Sequence, residues 1–155
     1  MSVAFRRESD EEHKEPKFEL LLPPGPNLVT ARGLALIEAK AAALEAAVSA
    51  ERDDEAREAL KRELRYWNTR RTTAQVAPAP EQGVAGIGSR VRIRLNGKER
   101  AIDLVGHDEA DPAADRLSFQ APLAQALIGA EEGERVDFGG RAQAIEIVGI
   151  ETIPD

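Results

Sequence analysis

The chain has 155 residues, a formal net charge of −7 and no cysteine. The charge argues against a dedicated nucleic-acid binder, which needs a basic face, and the missing thiols exclude disulfides and thiolate metal sites. No apolar run approaches the roughly 18 residues of a membrane span, and residues 1–10 lack an apolar stretch suited to secretion, so a cytoplasmic protein without membrane contact is expected.

Residues 1–26 are polar, mixed in charge, and proline-rich at Pro23-Pro24-Gly25-Pro26. They read as a tail or loosely attached strap, with 1–16 disordered by composition. Phe18, Leu20, Leu21 and Leu22 are available to pin the second half to a surface.

Residues 27–77 carry two helical seams. Thr30 is suited to cap a first helix through its hydroxyl. Leu34, Ile37, Ala41, Leu44 and Val48 follow at spacings of three and four, with Leu36 widening the stripe. Gly33 falls in the first turn, where a poor helix former costs little. The pattern breaks over Ser49 to Glu55, then resumes at Ala56, Leu60, Leu64, Trp67, Arg71 and Ala74. Two seams of similar length across a short polar break predict an antiparallel coiled-coil hairpin, each arm about 27–30 Å long. Arg57, Lys61, Arg62, Arg65, Arg70 and Arg71 give the second arm a basic side, read first as solvated or paired with the acidic first arm. Trp67 lies on the seam and is read as packing rather than as a stacking platform for RNA.

Pro78 and Pro80 end the second helix and open a linker over 78–88. Residues 89–155 have the texture of strands. Val91, Ile93 and Leu95 alternate with arginines, Asn96-Gly97 is a hairpin turn signal, and Ala101–Val105 is the return strand. Leu117–Phe119 is a short strand, Pro122–Ile128 a short helix ended by Gly129, and Glu134–Phe138, Gly139-Gly140 and Gln143–Ile150 a final hairpin. The expected class is α+β, a helical hairpin followed by a small antiparallel sheet with one short helix.

Val105-Gly106-His107-Asp108-Glu109-Ala110-Asp111, the run Ser118 to Gly129, and Glu132-Gly133-Glu134 resemble the C-terminal domain of the GreA/GreB transcription elongation factors. Leu28 to Leu34 resembles the opening of that family's first helix, and Ala74-Gln75-Val76 the end of its second, so the resemblance spans about residues 27–150. It implies a coiled-coil hairpin on an FKBP-like domain that grips the rim of the RNA polymerase secondary channel, with the hairpin entering the channel. In cleavage factors of this family, acidic tip residues help hold a second Mg²⁺ at the polymerase active centre, near the RNA 3′ end.

The resemblance implies polymerase contacts at Asp108, Glu109, Asp111, Ser118, Gln120 and Pro122, and a Mg²⁺-facing tip at Glu51, Asp53, Asp54 and Glu55. It implies no intrinsic cofactor or metal, no catalysis by the chain alone, and a monomer. This tip lacks the family's Gly-Asp…Glu-Asn pattern, and the arm is shorter by roughly ten residues per helix, or about 15 Å. A regulator that occupies the channel without cleavage therefore stands beside a cleavage factor. Read from the residues alone, Asp53 or Asp54 caps the second helix while the neighbouring carboxylates complement its positive end. Likewise, the acidic run Asp108–Asp111 is a solvated turn before Pro112. His107 has no second His nearby and is read as a surface residue. A prolyl isomerase would need an aromatic pocket, and after residue 80 the only aromatics are Phe119 and Phe138.

Overall fold

The computed structural model describes residues 19–154. The expected disorder of 1–16, and Phe18, lie outside the described residues.

Helix α1 (Ala31–Ala50) and helix α2 (Asp54–Thr73) form the hairpin, 20 residues each and so about 30 Å long. Thr30 caps α1 by accepting the Gly33 N–H. The buried stripe of α1 is Gly33, Ile37, Ala41 and Leu44, at helical spacing. Leu36 departs from the expected seam: it is exposed rather than buried with the stripe. On α2 the seam is shallower, with Ala56, Leu60, Leu64 and Trp67 half-buried. The expected seam residue Arg71 is exposed, and its neighbour Arg70 is buried instead. Ala74 caps the helix outside its last turn.

The hairpin is closed at its base by a two-stranded parallel sheet that the sequence patterning did not predict. Strand β1 (Leu28–Val29) pairs with β2 (Gln75–Val76), with Gln75 N–H donating to the Asn27 carbonyl and Ala77 N–H to that of Val29. Each strand is two residues long, too short to show any period.

The second unit is a five-stranded sheet in the order β5-β4-β3-β7-β6, built from β3 (Ser89–Leu95), β4 (Lys98–Val105), β5 (Arg116–Ser118), β6 (Arg135–Phe138) and β7 (Arg141–Thr152). The turn Asn96-Gly97 has φ of 53° and 77°, the left-handed pair that this dipeptide suits. The sheet is mixed rather than antiparallel, because β4 and β5 pair in parallel. The connection between them contains two short 3-10 turns, His107–Glu109 and Pro112–Ala114, which carry the chain back to run alongside β4 in the same sense. Val91, Ile93, Ile102, Leu104, Ile145 and Ile147 project from one sheet face onto helix α3 (Pro122–Leu127), where Ala124 and Leu127 complete the core. Ala85, within the stretch read as a linker, is buried in this core, and its N–H donates to the Ala130 carbonyl. Among the described residues no helix is long and apolar enough to cross a membrane.

Candidate functional site

The 3-10 turn His107–Glu109 is wedged against the base of the hairpin, between the start of α1 and the end of α2. Asp108 reaches α2: one oxygen accepts the Arg70 Nε–H at 2.6 Å and the other accepts the Tyr66 hydroxyl at 2.6 Å. Arg70 and Asp108 are 6% and 5% exposed, so neither charge has water as an alternative partner. Glu109 reaches α1: the Thr30 hydroxyl donates to one oxygen at 2.5 Å and Arg32 Nη1 to the other at 2.8 Å. Its carboxylate therefore sits at the positive end of α1. Burial, and secondly the bond to Asp108, push the Tyr66 hydroxyl above its ordinary pKa.

Two glycines make this approach geometrically feasible. A Cβ on Gly33 would lie 2.8 Å from Glu109 Oε1. A Cβ on Gly106 would collide with the Leu28 carbonyl. Gly106 has φ −80° and ψ 172°, extended backbone that any residue adopts, so space alone demands glycine there.

Two of the six residues assigned to a partner are thus turned inward. Asp108 and Glu109 join the two units of the chain, because a buried carboxylate is tolerated only with its charge and hydrogen bonds matched. The other four line the outer side of the second unit. Edge strand β5 is preceded by Asp111, which is exposed and whose backbone N–H and carbonyl pair with those of Arg116, and followed by a tight loop into α3. In that loop Ser118 Oγ accepts the Gln120 N–H at 3.2 Å, and Gln125 Nε2 donates to the Phe119 carbonyl at 2.6 Å. Phe119 anchors the loop inward, while Pro122 opens α3 on the exposed side. Asp111, Ser118, Gln120 and Pro122 therefore share one edge, held by β5. Gln120 also donates its side-chain N–H to the Pro24 carbonyl at 2.6 Å. The strap was expected to pin itself by its leucines, yet this polar bond does so.

At the far end of the hairpin, Glu51 and Asp53 are in extended conformations, which explains a tight reversal without glycine. Asp53 caps α2 by accepting the Ala56 N–H at 2.8 Å. Glu51 accepts the Asp53 N–H through its carboxylate at 3.1 Å, and its carbonyl accepts two bonds from Arg57. Asp54 pairs with Arg57 at 2.9 Å while its side chain is 93% exposed. Glu55 is exposed in the first turn. Among the described residues no group of three or more metal-ligating side chains converges, at the tip or elsewhere.

The basic side of α2 is largely paired: Lys61 with Glu58, Arg65 with Glu19, and Arg70 with Asp108. Trp67 is half-buried, edge-on to Tyr66 at 5.0 Å and beneath the Lys40 ammonium. His107 is exposed. Phe119 is buried, and Phe138 packs partly buried against the core of the second unit.

Residues 79–152 match the protein family described as "Transcription elongation factor, GreA/GreB, C-term". The chain is 40% identical over 55 residues to the transcription elongation factor GreA of Mycoplasmopsis pulmonis, covering 34% of this chain and 35% of that protein. It is 36% identical over 102 residues to GreB of Neisseria meningitidis, covering 61% of each chain. The matched regions thus span about a third to three fifths of these relatives' length. Among solved structures, the GreA factor homolog Gfh1 of Thermus thermophilus is 20% identical, with a TM-score of 0.38, over 82% of this chain and 99% of that one.

Proposed function

We propose that this chain, whose residues 79–152 match the GreA/GreB C-terminal family, is a transcription elongation factor that docks on RNA polymerase at the rim of its secondary channel. The match over residues 79–152 carries the reading, because it contains the whole stretch from Asp111 to Pro122, exposed at both ends and half-exposed at Ser118 and Gln120. That edge is the docking surface. Asp111 supplies negative charge to a basic partner face, and Ser118, Gln120 and Pro122 supply shape on a rigid support. The hairpin enters the channel and regulates elongation by occupying it, and the chain performs no chemistry of its own.

The tip favours regulation over strong cleavage stimulation. Asp53 and Glu51 are engaged in holding the reversal, and Asp54 is partly neutralised by Arg57. Mg²⁺ needs carboxylate oxygens at about 2.1 Å in near-octahedral geometry, and only Asp54 and Glu55 project freely enough to offer them to a polymerase-held ion. Their exposure is the observation that keeps cleavage stimulation as the second reading.

Two assays on the full chain test this. In the first, core polymerase binds the parent, and Asp111→Arg and Pro122→Ala weaken binding while the fold is retained. Parent-like binding by both variants rejects the docking edge. In the second, a stalled, backtracked complex is supplied with the factor across a Mg²⁺ titration. Strong transcript cleavage that Asp54→Asn/Glu55→Gln abolishes would replace the occupancy reading with the cleavage reading.

A further inference from the structure

Residues 19–26 lie outside every helix and strand, yet they are fixed at two points on two different units. The Glu19 carboxylate accepts two bonds from Arg65 of α2, at 2.8 and 2.6 Å. The Pro24 carbonyl accepts the Gln120 side chain of the second unit. The approach at that point is tight, since a Cβ on Gly25 would lie 2.9 Å from Gln120 Nε2. Between the two fixed points stand Leu20, Leu21 and Leu22, which are 48%, 92% and 49% exposed.

This is an inverted arrangement for a strap whose task is only to brace the chain. Such a segment would bury its leucines and leave its polar groups in water. Here the polar groups make the hydrogen-bonded attachments, while Leu21 stands almost wholly in solvent and about half of Leu20 and of Leu22 does. Single exposed leucines need no explanation, but a consecutive run of three is a patch that marks an interaction surface. Pro23, Pro24 and Pro26 restrict the backbone beside it, so little chain entropy is left to lose when the patch is covered.

We propose that Leu20-Leu21-Leu22 is an apolar docking strip covered by the same polymerase surface that covers Gln120 and Pro122. This rests on the docking reading above. The occupant follows from distance. Leu22 is two residues from Pro24, hence within about 7.6 Å along the chain, and Pro24 touches Gln120. A partner that seats on the Gln120 edge comes against the strap bonded to it, and the exposed apolar surface nearest along that strap is Leu20-Leu21-Leu22. The strip complements Asp111: one end of the docking surface works by charge, the other by burial of hydrocarbon.

The test uses the full chain and core polymerase, with affinities measured at low and high salt. Leu21→Ser raises Kd about tenfold, the loss expected for one leucine side chain kept in water. Leu20→Ser/Leu21→Ser/Leu22→Ser raises it further. Both losses are nearly independent of salt, whereas that of Asp111→Arg shrinks as salt rises. Thermal unfolding of Leu21→Ser matches the parent, because that side chain is already 92% exposed, and the triple variant loses only the contacts of the covered halves of Leu20 and Leu22. If the triple variant binds like the parent while Pro122→Ala weakens binding, the strip is wrong and the docking edge stands. Tighter binding by the triple variant overturns it too, since the strap would then be an obstacle. If the parent itself fails to bind, the docking reading falls, and the strip with it.

Discussion

Replacing Asp108 by Ala tests whether the 3-10 turn truly locks the two units together. The substitution removes the acceptor of two bonds of 2.6 Å and leaves the Arg70 guanidinium, 6% exposed, without a counter-ion. Removing one member of a buried pair costs roughly 3–5 kcal/mol, because the remaining charge keeps its desolvation penalty. That is a large share of the 5–15 kcal/mol typical of a whole domain. At about 2–4 °C per kcal/mol for a chain of this size, the melting temperature falls on the order of 10 °C. Fluorescence of Trp67, the only tryptophan and a neighbour of Tyr66, reports the transition from within the hairpin. The double variant Asp108→Leu/Arg70→Met discriminates the cause. It removes both charges while keeping volume, and should recover most of the loss. A shift of under 2 °C for Asp108→Ala, or no recovery in the double variant, would refute the argument that paired burial holds this junction.

Tyr66→Phe should flatten the alkaline limb of the stability curve. The hydroxyl is held above its unfolded pKa of about 10, so its contribution is complete below that pH and is lost as pH rises beyond it; chemical denaturation between pH 8 and 11 measures the slope. Gly106→Ala should cost about 1–3 kcal/mol as an overpacked contact against the Leu28 carbonyl, with the extra loss visible as faster amide exchange at Gln75 and Ala77. Asp53→Ala should cost about 1 kcal/mol and Asp53→Asn only a few tenths, since asparagine caps as well as aspartate; equal losses in urea unfolding would mean that charge rather than capping matters at the tip.

The repeating parts of this fold were legible because they bury one face of a regular element. The spacing of Ile37, Ala41 and Leu44 marks a helix, and the alternation of Val91, Ile93 and Leu95 marks a strand, whatever their partners are. The turn at Asn96-Gly97 was legible for a local reason, its tolerance of positive φ. What escaped is non-local. Strands β1 and β2 are defined by each other across 47 positions, with no pattern of their own. Arg70 and Arg71 are chemically identical in sequence, and it is the one on the face shared with Tyr66 and turned to Asp108 that is buried. For the same reason Asp108 and Glu109 read as an acidic surface loop. An acidic residue carries no sequence mark that tells an inward pairing from an outward one. Gly33 and Gly106 were the available signals, since each stands where a carboxylate or a carbonyl passes too close for a side chain.

The junction also sets how accurately the far end of the chain can be aimed. An arm of about 30 Å that tilts by 10° at its root sweeps its end through about 5 Å, more than twice a metal–oxygen bond. A lever of this kind is only as precise as its fulcrum. Here the fulcrum is clasped from three sides, by Asp108 on one helix, Glu109 on the other, and the β1–β2 pair across the gap between them. Loosening any one clasp would leave the tip chemically unchanged and still blur its position. Substitutions at the root can therefore alter what the distant end does without touching it.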